Sequence, residues 1–71
     1  MEPKYRQVAD ELARRLQAGR YAYGSRLPGH SALAREFGVS SITSNRALAE
    51  LEARHLVQRV ERAGTFALPP V

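Results

Sequence analysis

Apolar residues near the amino end of the chain recur at intervals of three and four. This spacing predicts an amphipathic first helix that Pro3 opens and Gly19 closes. The buried stripe of this helix is expected to be Tyr5, Val8, Ala9, Leu12, Ala13 and Leu16. Arg14 and Arg15 lie off the stripe, where they face either solvent or a nearby phosphate.

The next segment, 19–28, is rich in turn residues and predicts a connector. Pro28 restricts Leu27 to extended geometry, so a short extended piece is expected at 26–27. The connector therefore fixes how the chain enters the following helix.

A second and a third helix follow, joined by a tight turn. The second is predicted over about 30–37, with Gly29 as a tolerable N-cap. Its buried residues are expected to be Leu33, Ala34 and Phe37. Gly38 can adopt the positive φ that ends this helix, and Ser40 can cap the next one directly afterwards. Such a compact junction is typical of a helix-turn-helix.

The third helix is predicted to begin after Ser40 and to reach about Arg54. Ala47, Leu48 and Leu51 have the spacing of a buried face. Ser44 falls on that face, so it should hydrogen-bond to a carbonyl of the preceding turn or lie at the edge of the core. The opposite side forms a candidate reading surface of Ser41, Ile42, Thr43, Asn45, Arg46 and Ala49.

After His55, which stands where a helix-ending glycine is expected, the composition changes to β-branched and aromatic residues. Strands are predicted over 56–60 and 65–68, with 61–64 connecting them as a hairpin. The fold class is therefore mainly α with a small β-hairpin (α+β), a winged helix-turn-helix of three helices and a two-stranded wing. One domain is expected over 1–68, and 69–71 read as the start of a linker or C-terminal tail.

Composition agrees with this fold and narrows the function. The chain has 71 residues, with 11 Lys+Arg against 7 Asp+Glu and a net charge of +4. An excess of this sign draws a small domain towards polyanions. There is no Cys and no apolar run of about 18 to 20 residues, so a cytoplasmic, soluble protein without a membrane partner is expected.

An enzyme is hard to build from these residues. His30 and His55 lie on different elements with no acidic cluster between them, and no Gly-rich phosphate loop follows a strand. We therefore expect no catalytic residue, no cofactor and no metal.

The predicted fold gives the exposed residues specific tasks on double-stranded DNA. A winged helix-turn-helix reads DNA with its third helix in the major groove and its wing near the minor groove. Asn45 suits adenine and Arg46 suits guanine. The hydroxyls of Ser40, Ser41 and Thr43 suit phosphates, because they lie beside a helix N-terminus whose free N–H groups favour an anion. In the hairpin, Arg59 and Arg62 flank Gly64, whose side-chain-free tip is suited to enter a minor groove.

Each of these residues also has a simpler interpretation. Ser40 is an N-cap in any case, and Gly64 also fits an ordinary turn. Arg59 and Arg62 also serve to keep a hairpin edge from pairing with other strands. Ser41, Thr43, Asn45 and Arg46 also fit plain solvent exposure.

Several short motifs together resemble the DNA-binding domain of GntR-family transcription regulators. They cover about 4–68 and are Tyr5-Arg6-Gln7-Val8-Ala9, Gly24-Ser25-Arg26-Leu27-Pro28, Leu33-Ala34-Arg35-Glu36-Phe37-Gly38-Val39-Ser40, Asn45-Arg46-Ala47-Leu48, Leu51-Glu52-Ala53 and Gly64-Thr65-Phe66. The Asn-Arg-Ala-Leu motif is most similar to the HutC-type branch.

The resemblance implies a bacterial transcription regulator, expected to be a repressor, that binds a pseudo-palindromic operator as a homodimer. In the family, dimerisation and effector binding belong to a C-terminal domain, which is absent from these 71 residues. The chain is then either an isolated N-terminal module or a naturally truncated member. Fusion to an enzyme, as in aminotransferase-bearing relatives, is a further alternative.

Four positions depart from the family pattern. The family places Ser-Glu after the Leu-Pro pair and an arginine two residues after that serine, where this chain has Gly29-His30 and Ser31. It also places an arginine where this chain has Ser41. Losing both arginines should remove phosphate contacts and flatten the salt dependence of binding. The resemblance carries Ser40, Thr43, Asn45, Arg46 and Gly64 over as DNA contacts, and His30, Ser31 and Ser41 by position alone.

A different class of function remains open from the sequence. The same winged helix can act as a protein–protein interaction module that uses the face of its third helix or the edge of its hairpin, without specific DNA binding.

Overall fold

The computed structural model describes residues 3–69. Met1, Glu2, Pro70 and Val71 lie outside this part, so most of the linker predicted at 69–71 does too. The elements in chain order are α1 (Lys4–Gln17), α2 (His30–Phe37), α3 (Ser41–Ala53), β1 (Val57–Val60) and β2 (Gly64–Ala67). This order confirms the predicted fold class, three helices followed by a two-stranded wing. No helix in this part of the chain combines the length and apolar character needed to cross a bilayer.

The first helix forms as the apolar spacing predicted. Pro3 occupies its N-cap, and Gly19 follows its C-cap with φ +79°, which a residue with a Cβ rarely adopts. Five residues of the predicted stripe are buried, and Tyr5 is half-buried against the same core. This stripe packs mainly on α3. The third helix is therefore held from behind, with its other side free.

The turn between α2 and α3 has the geometry of a helix-turn-helix. Gly38 is left-handed with φ +67°, and its N–H donates to the carbonyl of Ala34. Ser40 caps α3, since its Oγ accepts from the N–H of Thr43 at 3.1 Å. On α2, Leu33 is fully buried whereas Ala34 and Phe37 are half-buried, so the prediction for α2 is only partly right.

Ser44 follows the first of its two predicted alternatives, a hydrogen bond to a carbonyl of the preceding turn. It is fully buried among apolar side chains. Its Oγ is 3.1 Å from the carbonyl of Ser41, the predicted bond to the preceding turn, and 2.6 Å from the carbonyl of His30 on α2. This second contact satisfies the hydroxyl between two helices, so the serine joins α2 to α3 inside the core.

The hairpin pairs antiparallel from Val57 opposite Ala67 to Val60 opposite Gly64. Gly64 was predicted in the connecting turn but is the first residue of β2, with φ +126°. The turn itself is 61–63, and it holds Arg62 at φ +66°. The extended piece predicted in the connector is also present: Arg26 bridges Phe66 of β2 and so extends the wing by a third short segment.

Candidate nucleic-acid interface

The amino-terminal half of α3 presents one exposed face between two supports. Successive residues of a helix differ by about 100° around its axis, so neighbours in sequence lean towards different supports. Asn45 leans towards the wing and Arg46 towards α1. Ile42 lies between them and is 74% exposed, an unusual exposure for a large apolar side chain in this domain. This arrangement agrees with the predicted reading surface, except that Thr43 is half-buried.

Arg46 is supported by an aromatic ring. Its guanidinium carbon lies 4.6 Å from the centre of the Tyr5 ring on α1. A cation over an aromatic face is held in place while its N–H groups remain at the edge of the stack. From the sequence, Tyr5 was predicted only as part of the apolar stripe of α1. The spacing of that stripe does not predict the contact between Tyr5 and Arg46, because the two residues lie on different helices.

Arg59 lies in the interior of the wing rather than at its tip. The side chain is half-buried, and its Nη2 donates to Oδ1 of Asn45. Its backbone N–H donates to Oε2 of Glu52 at 3.2 Å. Arg59 was predicted beside Gly64 as a contact of the hairpin to DNA, whereas its guanidinium is directed at α3. The wing and the third helix are therefore joined through Asn45.

The hydroxyls at the start of α3 form an ordered pair. Ser40 accepts from the backbone of Thr43 and donates its own proton to Oγ1 of Thr43 at 3.0 Å. The Ser40 proton is thus used inside the cap, whereas the proton of Thr43 is left for an outside acceptor. Ser31 on α2 and Ser41 on α3 are exposed. An anion at this helix end can therefore accept from the hydroxyls of Thr43 and Ser41.

A groove of about 630 Å³ separates the wing from the helices. Three of the predicted residues besides Arg59 line it, namely His30, Arg62 and Gly64, together with Arg26. A Cβ added at Gly64 would lie 2.6 Å from Nε of Arg26, so this arginine crosses the glycine closely. Glu52 and Glu61 also line the groove, so its lining is mixed in charge.

The place of Arg26 beside the wing was not predicted from the sequence. Within residues 3–69, the side chains of Arg26 and Arg62 have no hydrogen bond or ion pair. The sequence did predict that Arg26 lies in an extended piece before Pro28. Only the pairing of Arg26 with Phe66 of β2 shows that this piece belongs to the wing.

Other arginines are engaged in structural ion pairs. Arg54 lies 2.9 Å from Glu50 and 3.0 Å from Asp10, which ties α3 to α1, and these bonds raise the pKa of Arg54. Arg15 lies 2.5 Å from Glu36 and stacks on the ring of Phe37 at 5.1 Å. Solvent or phosphate were the alternatives for Arg15, and the structure gives it this third, structural role.

Arg14 is exposed and lies 2.8 Å from Glu11. The hydrogen bond from Arg14, helped by Arg15, lowers the pKa of the Glu11 carboxyl. In the described part of the chain, no cluster of His, Cys, Asp or Glu has the geometry to hold a metal ion.

Three helices, a tight second turn and a wing joined to the third helix define a winged helix-turn-helix. The family model described as "Bacterial regulatory proteins, gntR family" matches residues 4–67. The chain therefore belongs to the gntR family and is a DNA-binding domain of that family. This membership makes it a regulator domain and not an enzyme.

Individual relatives agree with this assignment. The chain is 37% identical over 65 residues to the mannosyl-D-glycerate transport/metabolism system repressor MngR of Escherichia coli, covering 92% of this chain and 27% of MngR. It is 37% identical over 68 residues to the histidine utilization repressor of Pseudomonas putida, covering 96% of this chain and 27% of that protein. The chain thus spans about a quarter of the length of these curated relatives.

Among solved structures, AraR(DBD) in complex with operator ORX1 matches with a TM-score of 0.89 and 33% identity. The match covers 94% of this chain and 81% of the AraR chain. The AraR chain in that structure is bound to its operator.

Proposed function

We propose that this domain binds an operator half-site of a bacterial gene with α3 in the major groove, as part of a transcriptional repressor. The observation that carries the proposal is the exposed amino-terminal half of α3, where Asn45 and Arg46 lie free of the core between the wing and α1. The likeness to an operator-bound AraR domain supports it. DNA-binding relatives named as repressors support the direction of regulation.

In this docking, contacts to bases and to the backbone have different sources. Ile42 and Arg46 face base edges, where an aliphatic group suits the thymine methyl and a guanidinium suits guanine. Thr43 donates its free proton to a phosphate near the helix N-terminus, where backbone N–H groups also favour an anion. Ser31 and Ser41 are neutral phosphate contacts in the places where the family has arginine, and Ser40 acts through its cap.

The wing supplies charge to the backbone in the same docking. Arg26 and Arg62 line the same groove as Gly64 and His30, and neither arginine forms an ion pair within residues 3–69. Cations that neutralise phosphates contribute affinity that is independent of sequence and falls with salt. These residues take over part of the role that the two absent arginines have in the family.

Regulation would come from outside this chain. We infer that the protein acts in the cytoplasm as a homodimer on a pseudo-palindromic operator, through a C-terminal domain that binds an effector. Support comes from relatives of which this chain covers only 27%. Residues 1–68 are proposed as the winged helix-turn-helix DNA-binding domain, and 69–71 as the start of a linker or C-terminal tail. The Asn-Arg-Ala-Leu motif and the likeness to histidine utilization repressors support the HutC-like branch.

Two variants test the docking because they separate base reading from backbone contact. Arg46→Ala should lower affinity for a half-site selected from random DNA by about 1–3 kcal/mol and relax the preference at one base pair. Arg62→Ala should weaken all sequences alike and reduce the slope of log K against log salt by about 1. Both variants are titrated against the selected duplex and a scrambled duplex at fixed salt.

The base preference of Arg46→Ala decides whether α3 reads bases. If Arg46→Ala keeps the full preference for the selected duplex, α3 does not read bases as proposed. The single domain and a linked pair of domains are both tested. If neither binds any duplex with higher affinity than the scrambled duplex, the protein-interaction alternative replaces the proposal.

A further inference from the structure

The contact between Arg59 and Asn45 fixes which way the Asn45 amide faces. A guanidinium has five N–H donors and no acceptor. The atom of Asn45 that meets Nη2 of Arg59 must therefore be the carbonyl oxygen Oδ1. The Nδ2 amino group, the other end of the amide, is directed away from the wing. Chemistry alone thus settles an orientation that is often ambiguous in asparagine.

The support behind this contact is built into the fold. Arg59 is half-buried on β1, and its backbone N–H is held by Oε2 of Glu52, one of the residues on the wing side of α3. Asn45 itself is exposed on the face proposed to meet base edges. A fixed residue of the wing therefore positions an exposed residue of the reading helix.

This arrangement changes the base that Asn45 is suited to read. Pairing with adenine needs an amide that both donates to N7 and accepts from the N6 amino group. In this structure Arg59 occupies one of the two lone pairs of Oδ1. Its positive charge beside the second lone pair repels the partly positive N6 amino group of adenine, so the Nδ2 donors are the part of the amide that suits a base. Guanine presents two acceptors, N7 and O6, on its major-groove edge.

We propose that Asn45 and Arg59 act as one unit that reads guanine, and that Arg59 is the positioning residue that sets this specificity. This inference rests on the proposed function and replaces the adenine preference predicted for Asn45 from the sequence. Removal of Arg59 frees Oδ1 of Asn45, and the amide regains the donor and acceptor pair that suits adenine.

The test compares base preferences, which a merely structural role of Arg59 would not alter. A duplex is first selected from random DNA with a linked pair of unmodified domains. Single guanines are then replaced by adenine, with the pairing base changed to match, and affinities are measured for the unmodified domain and for Arg59→Ala. At one position the unmodified domain should prefer guanine about tenfold or more. Arg59→Ala should lose this preference or turn it towards adenine.

Arg62→Ala is the matched control, because it removes an arginine of the same wing that has no partner in residues 3–69. This variant should bind more weakly while keeping every base preference. Asn45→Ala should lose the preference at the same position as Arg59→Ala, and the double variant should add nothing further there.

A second measurement remains informative even if Arg59→Ala unfolds. At the guanine where Asn45→Ala loses its preference, replacement by 7-deazaguanine removes only the N7 acceptor, and the unmodified domain should then bind about fivefold or more weakly. The inference is overturned if Asn45→Ala loses no guanine preference, if 7-deazaguanine is tolerated at the guanine that depends on Asn45, or if folded Arg59→Ala keeps all preferences of the unmodified domain. Failure to select any sequence would instead overturn the proposed function.

Discussion

Two copies of the chain joined by a flexible linker are expected to bind a duplex with two half-sites about 10²–10⁴-fold more tightly than one copy does. The reason is geometric. One domain of this size has a small interface, so its binding alone is weak. Once the first copy is bound, the linker keeps the second at high effective concentration near its own half-site.

The design of the linker follows from DNA geometry. Half-sites one helical turn apart lie about 34–36 Å from each other. A Gly/Ser linker has a root-mean-square length of about 5–6 Å times the square root of its residue number. A linker of roughly 40 residues therefore matches the span. Affinities are measured by titration at fixed salt, for the single and the joined domains.

The control is a duplex in which one half-site is scrambled. On that duplex the affinity of the joined protein should exceed that of one domain by no more than about twofold, because either of its two copies can bind the single intact half-site. Equal affinity of the joined protein for one and two half-sites, at several spacings, would contradict binding to paired half-sites.

Leu51→Ala is expected to destabilise the domain by about 2–5 kcal/mol. Leu51 is fully buried on α3 in the core shared with α1. A chain of 71 residues has a total stability of roughly 4–10 kcal/mol. Losing this side chain therefore removes a large part of the stability, and DNA binding should fail with it because α3 loses its support.

Ile42→Ala is the matched control from the same helix. It also removes aliphatic carbons, but from a side chain that is 74% exposed. Its unfolding midpoint should stay unchanged, while its affinity for the selected half-site falls. Thermal or urea unfolding of both variants, followed by titration, checks the orientation of α3. Destabilisation of similar size by both changes would mean that Ile42 is packed, contrary to the structure.

The sequence predicted the helices well because their apolar spacing and their caps are local features. Gly38 and Ser40 alone were enough to locate the turn, and Ala47, Leu48 and Leu51 identified the buried face of α3. The prediction for Gly64 was wrong for the same reason. A glycine is locally typical of a turn, but this glycine, with φ +126°, is the first residue of β2.

The supports of the site could not be predicted, because each one joins residues that are far apart in the chain. Arg59 reaches Asn45 only because the hairpin folds back on α3, and Tyr5 reaches Arg46 only because α1 packs beside it. Ser44 could be expected to bond within its helix, but its contact with the carbonyl of His30 depends on how α2 crosses α3. Residue types suggested the contacts with DNA, and tertiary packing determines how they are held.

In the proposed docking, the amino-terminal half of α3 and the wing form the DNA-binding face. Backbone amide shifts of the single domain, recorded while random duplex DNA is added at low salt, locate this face residue by residue. We expect shifts concentrated at 40–46 and 59–64, with little change in the exposed residues of α1 near Arg14. Shifts that are absent, or scattered evenly over the surface, would contradict it.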